Sequence, residues 1–171
     1  LQQVWEDFAA RYPDQPTLCQ ESAMDEGQRT EFLAQFLARD GKPLLGFAVL
    51  GGVFGEGVDL TGESLIGVAV VSPGLPQIGP RQEQLRDYFE ETRGAGFDYA
   101  YRYPGMNKVL QAAGRVIRTP QDRGVVLLID DRFLATDTRR LMPPHWEHLR
   151  VVDSADAWKD ELAAFWKNHE S

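Results

Sequence analysis

A single cysteine, Cys19, stands among 171 residues, so neither an intrachain disulfide nor a cysteine-held metal cluster can form, which suits a reducing cytosol. Cys19 itself reads as a small apolar residue in a short strand. No apolar run approaches the roughly 20 residues that crossing a bilayer requires, and no basic segment leads into a hydrophobic one at the start. A cytoplasmic protein without a membrane partner is expected. Positive charge is scarce: 18 Lys and Arg face 26 Asp and Glu, for a formal net charge of −8. That excludes a protein holding nucleic acid by overall basicity, since such binding is mainly counterion release at Lys and Arg contacts. Any nucleic-acid contact must be local. There is no GxxxxGK[ST] phosphate loop anywhere in the chain, so the residues cannot cradle a triphosphate in that way. His145 and His148 are three apart, a spacing open to a metal, but no cysteine or third histidine accompanies them and Trp146 between them favours packing. No metal site is expected. An initiating methionine is also missing, and Leu1 reads as the middle of a helix, which suggests a piece of a longer polypeptide.

What is present is enough for one folded unit over residues 1–171, because 43% hydrophobic and 11% aromatic content can fill a single sizeable core. Leu1, Val4, Trp5 and Phe8 give Leu1 to Arg11 a helical stripe, ended by Tyr12, Pro13 and Asp14. A short buried strand is expected at Thr17 to Gln20. Ser22 to Glu26 then caps a second helix carrying Phe32, Leu33, Phe36 and Leu37, closed by Gly41. Pro43 to Leu50 and Ser64 to Ser72 are continuous apolar runs, expected to be strands buried on both faces of a parallel sheet. Gln82 to Thr92 is expected to be a helix turning Leu85, Tyr88 and Phe89 inward, and Gly124 to Asp130 a further strand. Near the end, Ser154 is positioned to cap a helix with Ala157, Trp158, Leu162, Phe165 and Trp166 on one side. Helices alternating with such strands indicate an α/β layered domain.

Two stretches carry chemistry. The first is Gly51 to Leu65, where glycines at 51, 52, 55, 57 and 62 surround Glu56 and Asp59 directly after a strand. A loop of this kind either makes an ordinary turn or sits beside a ligand at the carboxyl end of a strand. The second is Pro104 to Arg118, PGMNKVLQAAGRVIR. If the whole stretch is helical, Gln111, Arg115 and Arg118 project from one face, with Gly114 keeping the surface beside them low. Met106, Val109, Leu110, Ala113, Val116 and Ile117 then form the apolar side. Two guanidinium forks beside an amide suit a polyanionic oxygen cluster such as a triphosphate tail, although paired arginines at this spacing also occur on plain solvated faces. Residues 101–125 hold Arg102, Lys108, Arg115, Arg118 and Arg123 against one acid, Asp122, which supplies the local positive charge. Tyr99, Tyr101 and Tyr103 precede the helix and either pack at its entry or stack on single-stranded bases with Arg102 on a phosphate.

The succession QAAGRVIR, a Pro-containing turn, GVVLLID and then Arg132 resembles motif VI and the strand after it in the XPD and DinG-like branch of superfamily 2 DNA helicases. Gln111, Gly114, Arg115, Arg118, Asp122, Gly124, Asp130 and Arg132 carry that likeness. Glu56, Gly57 and Asp59, with Gly55 beside them, match the EGxD of motif V. Pro73 to Pro76 is similar to the family's LPF-type turn, with Gln77 where an aromatic is usual. The resemblance spans about Leu1 to Leu141. It implies a RecA-like three-layer αβα sandwich with a mostly parallel sheet, the second motor domain of an ATP-dependent DNA helicase. It further implies ATP and Mg²⁺ held largely by a first RecA-like domain, with single-stranded DNA as the other partner. On that reading Arg118 is the arginine finger, Arg115 its partner on the phosphates or on acids of the opposite domain, and Gln111 a γ-phosphate or water sensor. Glu56 and Asp59 would link that face to ribose or DNA. Alone, the chain is expected to be inactive as an ATPase. A non-catalytic binding module that kept the fold remains open, as does a Rossmann-type nucleotide enzyme using the Gly51 to Gly62 loop, which lacks GxGxxG.

Overall fold

The computed structural model describes residues 1–37, 43–54, 60 and 64–167. They fall into two compact units, Leu1–Leu141 and Met142–Ser171. In the first, helix α1 (Gln2–Arg11) is bolted to strand β1 (Thr17–Cys19), because the Trp5 indole N–H donates to Thr17 Oγ1 at 2.9 Å. Strand β2 (Leu45–Phe47) lies parallel to β1, with Leu18 opposite Gly46. Helix α2 (Glu26–Leu37) starts at a reciprocal cap: the Asp25 carboxylate accepts from the Gln28 N–H at 2.8 Å, and the Gln28 side-chain oxygen accepts from the Asp25 N–H at 2.9 Å. The helix turns Phe32 and Phe36 into a cluster with Leu60. A Cβ added at Gly46 would lie 2.6 Å from Phe36 Cζ, so α2 rests almost on the backbone of β2.

Strand β3 (Gly67–Val71) pairs in parallel with β4 (Val125–Ile129), with Val70 opposite Leu128. The connection between them passes through helix α3 (Pro80–Arg93), a π-helical turn (Asp98–Arg102) and helix α4 (Tyr103–Ala113). Parallel strands joined by helical crossovers agree with the α/β expectation. The burial of the strands does not. Leu45, Val71 and Ile129 stand exposed, and Val70 alone in β3 is fully buried. Among the described residues each sheet has only two strands, so every strand keeps an unpaired edge. Helix α3 departs similarly: Phe89 stacks on Tyr99 at 4.4 Å between ring centres, while Leu85 and Tyr88 remain exposed.

Helix α4 is the spine of the unit. It packs on β3 and buries Met106, Val109 and Ala113, with Val116 beyond its end. The approach is so close that a Cβ at Gly105 would collide with the Pro73 carbonyl oxygen; past the helix, one at Gly124 would strike Val116 and sit 2.9 Å from the Ile66 carbonyl oxygen. Beyond β4, Asp130 caps a 3₁₀ turn (Asp131–Leu134), followed by helix α5 (Thr136–Arg139). The second unit holds a 3₁₀ turn (Pro144–Trp146) and helix α6 (Ala155–Lys167), whose Ala157 N–H donates to Ser154 Oγ at 3.2 Å as the cap reading required. None of the described helices is long and apolar enough to cross a membrane.

Met106 is 1% exposed and Ile78 is 84% exposed. Met106→Ala should therefore cost about 2–5 kcal/mol through lost packing and a cavity, and Ile78→Ala less than about 0.5 kcal/mol. Urea unfolding of the two variants checks the difference.

Candidate functional site

The helix expected to run to Arg118 stops at Ala113. The Gly114 N–H still reaches the Leu110 carbonyl at 2.9 Å, but the next bonds tighten to a three-residue span: Arg115 N–H to Ala112 O at 3.1 Å and Val116 N–H to Ala113 O at 3.0 Å. A tightened last turn of this kind satisfies carbonyls that would otherwise be left open at a helix end. Gln111 is thus exposed on the last helical turn, Gly114 ends the helix, Arg115 lies in the turn, and Arg118 lies in the loop after it. Arg115 and Arg118 therefore do not continue one helical face with Gln111.

Asp122 shapes that loop. Its Oδ2 accepts the backbone N–H groups of Arg118 and Thr119, both at 2.8 Å, while its own N–H donates to the Thr119 carbonyl at 3.1 Å. The Gln121 N–H adds a bond to Thr119 Oγ1 at 3.3 Å. The Arg118 amide first, and the Thr119 amide next, hold the Asp122 carboxyl below the usual carboxylate range. The main chain at Arg118 and Thr119 is therefore fixed by one charge-assisted bond from each to the same carboxylate. Arg115, Arg118 and Arg123 are all engaged in interactions within the chain. The loop then leads into the amino end of β4, where the Val125 N–H donates to the Ile66 carbonyl at 3.0 Å beside the amino end of β3.

The carboxyl ends of the same strands carry a second constellation. Asp130 accepts from Arg132 Nε at 2.8 Å and from Arg132 Nη2 at 2.7 Å, and the same Nη2 donates to Ser72 Oγ at 2.8 Å. Ser72 sits at φ 74°, a left-handed conformation uncommon outside glycine. Sequence reasoning had Asp130 and Arg132 only as parts of a pattern and missed Ser72. The DxR spacing was the available signal, since an arginine two residues on can fold back over the carboxylate. The Arg132 side chain holds Asp130 down at about 2.

The tyrosines resolve toward packing. Tyr101 is buried and its hydroxyl donates to Glu83, while Tyr99 lies between Phe89 and Tyr103. Arg102 pairs with Asp98 and lies 3.6 Å from Asp137. Burial pushes the Cys19 thiol up, consistent with an inert residue of β1. Among the described residues no three His, Cys, Asp or Glu side chains gather where they could hold a metal. Gly55, Glu56, Gly57 and Asp59 lie outside the described residues.

The profile of the helicase C-terminal domain family matches residues 1–149. Over 147 residues the chain is 33% identical to the regulator of telomere elongation helicase 1 of Bos taurus, covering 80% of this chain and 12% of that protein. It is 35% identical over 106 residues to the ATP-dependent DNA helicase chl-1 of Caenorhabditis elegans, covering 60% of this chain and 12% of the relative. The ATP-dependent DNA helicase DinG of Photobacterium profundum is 33% identical over 98 residues, covering 56% and 14%. Among solved structures an XPD helicase superposes with a TM-score of 0.58 at 19% identity, covering 73% of this chain and 22% of that one, which shows a shared fold.

Because Asp130 is held near 2 in the folded chain against an ordinary value of about 3.9, it contributes stability that is present above about pH 4 and lost as pH falls toward 2. Arg132→Met should flatten the fall in unfolding free energy over that window, read from urea titrations at stepped pH. An unchanged slope would contradict the assignment.

Proposed function

The chain belongs to the helicase C-terminal domain family, and from that premise we propose that it is the second, RecA-like motor domain of an ATP-dependent DNA helicase, closing over a nucleotide held by a first motor domain. The described helices and parallel strand pairs are compatible with a three-layer αβα sandwich, which is part of the proposal. The observation that carries the reading is the turn from Gln111 to Asp122. A helix end carrying an amide is followed by two arginines, and the second has its backbone clamped by the Asp122 carboxylate. Fixing the main chain at Arg118 limits the side chain's search, and pre-oriented cations are worth most where charge develops on a transferring phosphoryl group.

In this assignment Arg118 reaches the γ-phosphoryl oxygens as the arginine finger and exchanges its present contact for them. Arg115 binds phosphate or the acids of the facing domain, and Gln111 orients the attacking water. Gly114 leaves room beside Arg115. Gly55, Glu56, Gly57 and Asp59 are the proposed motif V, linking this face to ribose or to single-stranded DNA. ATP carries Mg²⁺ with it, and in this reading the ligands for that ion belong to the first domain. Residues 1–171 alone hydrolyse no ATP, because a finger without its phosphate site has nothing to stabilise.

The test uses the helicase chain in which this domain is joined to its first motor domain. Arg118→Ala should lower DNA-stimulated kcat by on the order of 10³ or more, with nucleotide binding retained. Unwinding that survives both Arg115→Ala and Arg118→Ala would overturn the motor reading in favour of a non-catalytic binding module.

A further inference from the structure

Lys108 sits midway along α4, one turn before Gln111, and its side chain runs across the chain segments that leave two different strands. After β2, Gly51 adopts φ 74°, and a Cβ there would lie 2.6 Å from Lys108 Cδ and 2.9 Å from its Cε. After β3, Gly74 adopts φ 42°, and its carbonyl accepts from Lys108 Nζ at 3.3 Å. The two segments also touch each other, since a Cβ on Gly74 would lie 2.7 Å from Leu50 Cδ2. Both glycines are left-handed; the missing side chain at Gly51 leaves room for the lysine stem, and that at Gly74 leaves room for Leu50. Lysine is suited to such a place, because its stem packs along neighbouring backbone while the ammonium keeps further donors for water. Lys108 is half-buried among these groups, which distinguishes it from a mobile surface lysine.

We infer that Lys108 is a positioning residue of the motor domain, a clasp that fastens the loops leaving β2 and β3 to the helix that carries Gln111. The inference deepens the helicase reading and rests on it for its functional half. In layered α/β proteins ligands approach the carboxyl ends of the strands. The arginine-bearing turn, by contrast, leads into the amino end of β4. Lys108 makes a fixed connection between the strand-end loops on one side and α4 on the other. Displacement of those loops by a bound polymer is then passed to Gln111 and to the turn that follows it. Without the clasp the helix and the loops move separately, and the nucleotide still binds but meets a poorly aligned sensor.

Two measurements test this. In the 171-residue chain, Gly51→Ala and Lys108→Ala should be coupled: removing the lysine stem relieves part of the collision the alanine creates. The double variant should melt about 2–4 °C higher than the sum of the separate losses predicts, and strict additivity would overturn the clasp. In the two-domain helicase, Lys108→Ala and Lys108→Met should lower kcat with single-stranded DNA by about tenfold while KM for ATP stays within about twofold. Lys108→Arg, which keeps a stem and donors, should restore most of the loss. A kcat equal to that of the unsubstituted helicase, or a raised KM at unchanged kcat, would overturn the positioning role. If Arg118→Ala also leaves hydrolysis intact, the helicase reading fails separately, and the melting cycle still decides whether the clasp exists.

Discussion

The seating of α4 on β3 is the constraint from which the rest follows. The helix lies so close that no side chain is tolerated at Gly105, where the Pro73 carbonyl passes, and the chain beyond it is as tight at Gly124, where Val116 and the Ile66 backbone converge. Dense packing of this kind costs conformational freedom and is repaid by burying Met106 and Val109 almost completely. It also determines where the polar residues go. With Met106, Val109 and Ala113 facing inward, Gln111 must face out. With Val116 anchored in the core just past the helix end, the chain from Arg115 to Arg118 is pulled into a turn instead of continuing along the helix axis.

That turn is rigid for a second reason. A carboxylate accepting two backbone N–H groups is one of the stronger local devices available to a loop, and Asp122 uses it to define the path through Arg118 and Thr119. The opposite ends of the strands are held by a different device of the same chemistry, the Asp130–Arg132 fork with Ser72. The β3–β4 pair is thus tied at its carboxyl ends by a carboxylate–guanidinium fork, while the other carboxylate orders the loop that leads into β4. Functional groups placed on these ends inherit the positions of the strands.

Much of this was legible in the sequence. Helical stripes at Phe32 and Phe36, the capping pattern before Glu26 and the Ser154 cap all appear as read, because periodicity and capping are local properties of the chain. The strands were legible in place but not in burial. An apolar run such as Gly67 to Val71 suits a doubly covered strand, yet coverage depends on neighbours that no local pattern encodes, and Val71 is exposed. The end of α4 was misplaced because Val116 and Ile117 prolong the helical periodicity past Gly114. Val116 is indeed buried, but it is reached by a tightened turn, and Ile117 is exposed. The arginines of the candidate site could be picked out by type and spacing. The clasp at Lys108 could not, since it joins positions 51, 74 and 108, which only the folded chain brings together.

The central claim is that the turn after α4 delivers Arg118 to a phosphoryl group held by another domain. The most direct measurement is a structure of the two-domain helicase with ADP and aluminium fluoride in the cleft, the fluoride standing in for the transferring phosphoryl group. The account predicts an Arg118 guanidinium nitrogen at hydrogen-bond distance from the fluoride, about 2.7–3.2 Å, with the Asp122 bonds to the Arg118 and Thr119 amides intact. A closed cleft in which that side chain points away and another residue supplies the cation would contradict it.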